Sequence, residues 1–221
     1  MSDEQRLQIE RYVESLFVEP DPALAQGLVR ADAAGLPAIQ VAPNQGKLLY
    51  LLTKISGAHR VLEIGTLGGY STTWLARALP DGGVVTTLEL NQAHADVARI
   101  NLDRAGVGER VTIEVGPAAE TLRRLVEQRI APFDLIFIDA DKPGYSTYLD
   151  FALQLSRPGT VILADNLIRN GAVLNETPVD ENARAARAFN AKLAAHPRLE
   201  SIIVPALGKS VDGMSISIVG R

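Results

Sequence analysis

The chain of 221 residues is 47% hydrophobic and 22% charged, which fits one folded domain with a sizeable core and leaves no room for a second full one. A net charge of −4 without any Lys/Arg run excludes the cationic field that gathers nucleic acid, and the absence of cysteine excludes disulfides and thiolate metal sites, so any metal must take oxygen or histidine donors. The opening MSDEQRLQIERYVESLF is charged and amphipathic, unlike a signal peptide, and no apolar run reaches the roughly 18 residues that cross a bilayer, so a cytoplasmic chain with neither a membrane nor a nucleic-acid partner is expected.

Residues 1–56 read as helical. Leu7, Ile9, Tyr12, Val13, Leu16 and Phe17 recur on one broad face. Pro20 and Pro22 break the segment, Gly35 and Pro37 break it again, and GKLLYLLTKI resumes a helix that Gly57 can end. The period then changes. RVLEIG, VVTTLEL, RVTIEV, FDLIFIDA and TVILAD are short runs nearly continuous in Val, Ile and Leu, the pattern of strands buried on both faces. Helical stretches around 71–79, 91–105, 118–130 and 145–156 separate them, and this alternation predicts a doubly wound α/β sheet. After a helix near 180–195 come LESIIVP and MSISIVG, joined by ALGKSVDG; strands joined so briefly run antiparallel. The expectation is a single domain over 1–221. Its amino-terminal helices (1–56) precede an α/β core (57–221) with a seven-stranded, mostly parallel sheet, one antiparallel strand, and helices on both faces.

The stretch VLEIGTLGGYSTTWLARAL runs from strand through glycine turn to helix, where an α/β sheet offers backbone N–H groups to a ligand. Gly65, Gly68 and Gly69 let the chain bend there, although a glycine turn can also serve packing alone. Leu67 replaces the second glycine of G-x-G-x-x-G, which argues against a dinucleotide. Glu89 ends the second strand, where a carboxylate can accept hydrogen bonds from both ribose hydroxyls. Ser71 is placed to donate to a ligand carboxylate or to cap the following helix.

Two strand ends, FIDADKPGY and ILADNLIRNG, deliver Asp139, Asp141, Lys142, Asp165 and Asn166 to one edge of the sheet. Carboxylates so close repel unless a cation offsets them, and two Asp with one Asn form a hard oxygen set suited to Mg²⁺, Mn²⁺ or Ca²⁺. The alternative is that Asp139 and Asp165 cap the helices that follow. Lys142 is either a surface lysine paired with Asp141 or, its pKa lowered beside a bound cation, a base able to accept a phenolic proton.

Taken together, APNQGKLLYLL, VLEIGTLGGYSTTWLA, TTLELN, GPAAETL, FDLIFIDADKPGY and ILADNLIRNGAV resemble the cation-dependent O-methyltransferases, the family of catechol and caffeoyl-coenzyme A O-methyltransferases, in its bacterial form and over essentially the whole chain. The resemblance implies the Rossmann-like class I S-adenosylmethionine-dependent methyltransferase fold and methyl transfer to a hydroxyl of a catechol-like small molecule. It implies Asp139, Asp165 and Asn166 as ligands of a divalent cation, Mg²⁺ foremost, and Lys142 as general base. For the S-adenosylmethionine site it implies Val41, Glu63, Gly65, Thr66, Ser71, Glu89, Ala118 and Asp139. Among these, Glu63, Gly65 and Ser71 line the methionine part, Glu89 binds ribose and Ala118 meets adenine. Asn170 matches a substrate contact of plant members. Leu67 and Asn44 depart from the family pattern, the latter standing where plant members carry an acid. A homodimer is also implied, in keeping with the apolar face of the amino-terminal helices. The rival readings are an NAD-dependent dehydrogenase and a non-catalytic binding module. His59, His94 and His196 lack metal-ligand spacing and read as surface or core residues, and Tyr70 and Trp74 read as packing.

Overall fold

The computed structural model describes residues 2–207 and 211–221. Three helices lead: α1 (Asp3–Phe17), α2 (Pro22–Ala33) and α3 (Pro43–Ile55). Each starts for a local reason. Ser2 and Gln5 form a reciprocal capping box on α1, and Asp21 caps α2 by accepting from the amides of Ala23 and Leu24, in both cases satisfying amide groups that the first turn leaves without partners. α3 begins with Pro43, whose fixed φ suits the first helical position.

The α/β portion follows as β1 (Arg60–Ile64), α4 (Tyr70–Ala78), β2 (Val84–Glu89), α5 (Gln92–Arg104), β3 (Val111–Val115), α6 (Ala118–Glu127), β4 (Phe133–Ile138), α7 (Tyr145–Gln154), β5 (Ser156–Ala164), α8 (Glu181–Ala195), β6 (Leu199–Leu207) and β7 (Val211–Val219). The seven strands lie in the order β3-β2-β1-β4-β5-β7-β6. β1 to β5 pair in parallel, and β7 alone is reversed, antiparallel to both β5 and β6. Consecutive strand residues point to opposite faces, so the continuous apolar strands feed two cores. Leu62, Ile64, Ile136, Ile138 and Ile162 pack with Tyr145, Leu149 and Phe189 on one side. Val61, Leu135, Phe137 and Leu163 pack with Leu49, Leu75 and Leu102 on the other. All of these side chains are essentially inaccessible to water, and each contributes about 1.5–3 kcal/mol by leaving it.

Two features differ from the expectation. β5 starts at Ser156, four residues before TVILAD, because Ser156 pairs with Phe133 ahead of a register shift. The terminal connection ALGKSVDG is shorter than it reads: pairs Pro205↔Gly213, Ala206↔Asp212 and Leu207↔Val211 extend the hairpin ladder into it. Its remaining residues, 208–210, lie outside the described ones. Among the described residues, no helix is long and apolar enough to cross a membrane.

Chain order reverses between β1 and β4, since β1 leads to β2 on one side and has β4 on the other. At such a switch point the loops leaving the carboxyl ends of neighbouring strands turn to opposite faces and open a crevice.

Candidate active site

A cavity of about 730 Å³ occupies that crevice. Its floor is the turn after β1, where Gly65 (φ +101) brings the backbone so close to β4 that a Cβ would stand 1.9 Å from the Asp139 carbonyl oxygen. Leu67, at φ +49, takes a left-handed conformation that a non-glycine residue rarely adopts. The turn is braced by Glu89, whose carboxylate accepts from the amides of Thr66 (3.3 Å) and Leu67 (2.7 Å). Its other oxygen accepts from Asn91 (2.9 Å) and lies 3.4 Å from Nδ1 of His94. Val41, Gly65, Thr66, Ser71, Glu89, Ala118, Asp139, Lys142 and Asn166 all line this one cavity.

Glu63 lies outside the lining. It is fully buried beneath the turn, where its carboxyl accepts hydrogen bonds from the hydroxyls of Ser71 (2.6 Å), Thr72 and Thr87 (2.7 Å). Burial pushes its pKa up to about 7, against the opposing effect of those hydroxyls. Ser71 does not cap α4, because Gly69 holds that position; its hydroxyl is committed to Glu63.

The acidic edge is assembled by the ends of β4 and β5. Asp139 continues β4 with its amide bonded to Ile64 O, and Asp165 continues β5 with its amide bonded to Ile138 O. Lys142 is 6% exposed. It reaches Tyr145 Oη (2.5 Å), Ala140 O (3.1 Å) and Asp139 Oδ1 (3.4 Å), so it is not a surface lysine paired with Asp141. The capping role open to Asp139 falls to Asp141, which accepts from the Gly144 amide at 3.0 Å and the Tyr148 hydroxyl at 2.5 Å. Asp165 is 1% exposed and receives long side-chain contacts from Gln45 Nε2 (3.4 Å) and Asn166 Nδ2 (3.3 Å). Asn166 holds a left-handed φ of +60.

Burial, and then the neighbouring Asp139 charge, push the Asp165 pKa up to about 7. Burial likewise raises Asp139, with Lys142 offsetting only part of the effect, and Asp212 adds to the strain on both acids. Burial lowers Lys142 against the pull of Asp139 and Asp165. Two buried acids whose pKa values are pushed up, beside an amide oxygen donor, are short of positive charge. A divalent cation fits that deficit and that donor set.

Asn170 is not part of the cavity. It lies at φ +52 in the turn Arg169–Leu174, and its side-chain oxygen accepts from the Val211 amide at 2.8 Å. Sequence reasoning also passed over residues that the structure places here. His94 borders the cavity beside Glu89, and its only sequence signal is its position one helical turn beyond the end of β2. Tyr145 directly follows DADKPG and contacts Lys142, and Tyr148, three residues on, contacts Asp141. Gln45 reaches Asp165 from α3, 120 residues away, and no local signal could have found it.

A doubly wound sheet with a reversed strand next to its edge, a glycine turn at the switch point and an acid at the end of β2 is the architecture of class I methyltransferases. A family profile described as O-methyltransferase matches residues 17–217. A catechol O-methyltransferase of Niastella koreensis is 48% identical over 212 residues, 96% of each chain. A catechol O-methyltransferase of Mycobacterium tuberculosis is 47% identical, over 96% of this chain and 94% of its own. The solved O-methyltransferase of Bacillus cereus in complex with SAH superposes with a TM-score of 0.96 at 44% identity, covering 99% of this chain and 100% of that one. The chain belongs to the O-methyltransferase family.

Proposed function

We propose that this protein transfers the methyl group of S-adenosylmethionine to one hydroxyl of a vicinal dihydroxy-aromatic small molecule, with a divalent cation held by Asp139, Asp165 and Asn166 and with Lys142 as general base. The observation that carries the reading is a single cavity bordered both by the braced glycine turn and by the acid-rich edge with its buried lysine. The donor and the acceptor of a methyl group must meet in one enclosed space, because displacement requires the two reacting atoms in line. The catechol O-methyltransferases at 47–48% identity support the acceptor class.

When bound, the cation neutralises the two acids and lowers the pKa of a coordinated hydroxyl. The remaining work belongs to the chain. Glu89, at the end of β2, is the ribose ligand, and the turn amides and Gly65 admit the methionine part at close range. Ala118 borders the base, and Val41 closes the wall from the segment before α3. Lys142, with its pKa lowered by burial, takes the phenolic proton at Nζ. Glu63 supports this wall from behind through Ser71 and Thr87. Asn170, outside the cavity and accepting from the Val211 amide, has no part in this reading.

The missing second glycine of a dinucleotide fingerprint disfavours the dehydrogenase, and the intact acid, amide and lysine set disfavours a non-catalytic module. A cytoplasmic homodimer completes the proposal. Its support is that Ile9, Tyr12, Leu16 and Phe17 of α1 are 44–66% exposed, an apolar stripe that a monomer would leave in water. Turnover of caffeic acid compared with its monohydroxy counterpart, coumaric acid, tests the acceptor class. The vicinal diol is methylated and the monophenol is not; equal rates would overturn the chelating role.

A further inference from the structure

The side chain that fixes Lys142 is Tyr145. Its ring is fully buried and pinned edge-on against Phe189 of α8, with centroids 5.3 Å apart and planes at 74°. Its hydroxyl occupies the place where β4 and β5 part. The last ladder pair is Ile138↔Ala164, and the next backbone bond joins the Asp165 amide to Ile138 O at 3.1 Å. Beyond that the strands diverge to carry Asp139 and Asp165. Tyr145 Oη fills the gap, 3.0 Å from Asp165 O and 3.2 Å from Ile138 O. Either carbonyl can accept the hydroxyl proton, and the Tyr145 oxygen is left free to accept from Lys142 Nζ at 2.5 Å. A second acceptor, Ala140 O, lies 3.1 Å from the same nitrogen.

A lysine side chain has four rotatable bonds and no preferred direction of its own. An amine nitrogen is tetrahedral, so two N–H groups committed to Ala140 O and Tyr145 Oη restrict its remaining directions to the side on which Asp139 and the cavity lie. We propose that Tyr145 is a positioning residue for the methyl transfer: its hydroxyl ties Lys142 Nζ to the backbone carbonyls at the ends of β4 and β5, so that the base and the two strand ends that carry the acids are held as one unit. The proposal rests on the reading of Lys142 as the base.

Tyr145→Phe keeps the ring and its contact with Phe189 while removing only the hydroxyl. The test measures methyl transfer from S-adenosylmethionine to caffeic acid with Mg²⁺ for the parent, Tyr145→Phe, Lys142→Met and the double variant. Calorimetric binding of S-adenosylmethionine is measured alongside. For Tyr145→Phe, kcat falls about tenfold or more, as misplacement of a reacting group by a fraction of an ångström allows, whereas both KM values and cofactor affinity stay within about twofold of the parent. A purely structural role would move KM and affinity as well. In the Lys142→Met background the same substitution adds nothing, because the hydroxyl acts through the lysine. A Tyr145→Phe enzyme with parental kcat, or full additivity in the double variant, overturns the proposal while leaving the base in place. A Lys142→Met enzyme with parental kcat overturns the base reading and the proposal with it.

Discussion

Gly65 is constrained twice, by its φ of +101 and by the 1.9 Å that would separate a Cβ from the Asp139 carbonyl oxygen. Gly65→Ala therefore forces β1 and β4 apart at the point where the turn meets the acidic edge. Denaturant unfolding is expected to show a loss of about 3 kcal/mol or more from strain and displacement together; a loss under about 1 kcal/mol would show that the close approach is not required. Glu63 carries a different prediction. Its folded pKa of about 7 lies above the ordinary 4.5, so folding favours the neutral carboxyl. The stability this contributes is fully present below pH 4.5 and is lost as pH rises through 7. Glu63→Gln removes the titration, and its stability relative to the parent should improve by on the order of 3 kcal/mol between pH 4.5 and pH 8. A pH-independent difference between the two would contradict the burial account. The sequence shows Asp139, Lys142, Asp165 and Asn166 as candidates because all four follow strand ends. It could not show Tyr145, since YSTYL reads as any packed helix start, nor that Glu63 would lie behind the cavity wall, since strand alternation alone does not reveal which neighbour supplies hydroxyls.

Asn101 of α5 joins three elements. Its side-chain nitrogen donates to Gly27 O in α2 (3.2 Å) and to Gly68 O in the glycine turn (2.8 Å), and its oxygen accepts from Arg30 Nε (2.7 Å). Together with the Asp21–Arg77 ion pair it clamps α2 over the cavity that Leu24, Gly27 and Leu28 help to line. Asn101→Ala takes these partners from the Gly68 carbonyl and the Arg30 guanidinium, while the Gly27 carbonyl keeps its place in the α2 ladder, at a cost of about 1–3 kcal/mol. The loss should fall on α2, as faster amide hydrogen exchange there and weaker cofactor binding, with the exchange of β1 and β4 unchanged; uniform acceleration across the sheet would argue against a local clamp. At this scale the parallel core was legible, because buried strands read as apolar runs. The terminal hairpin was only partly so. The glycine, serine and aspartate in ALGKSVDG look like a loop, yet Asp212 pairs within the ladder, and its carboxylate accepts from the amides of Ile168 and Arg169 at 2.9 and 3.1 Å. That long-range tie fixes the segment after Asn166 and leaves no trace in local sequence pattern.

For the molecule as a whole, a −4 chain offers no cationic field to polyanions, and the recognition proposed for an aromatic acceptor rests on the cavity rather than on a long-range field. The exposed stripe on α1 predicts association: sedimentation at micromolar concentration should show a dimer, and Tyr12→Glu with Phe17→Glu should shift it toward monomer, whereas a monomeric parent would contradict the homodimer. The central claim is that one cavity combines a methyl donor with a cation-held acceptor. It is tested most directly by methyl transfer from S-adenosylmethionine to caffeic acid, measured with Mg²⁺, after EDTA, after Mg²⁺ is restored, and in Asp139→Ala. The account predicts turnover that disappears with EDTA, returns with Mg²⁺ and falls by about a hundredfold or more in the variant. Turnover unaffected by EDTA and by Asp139→Ala would contradict it.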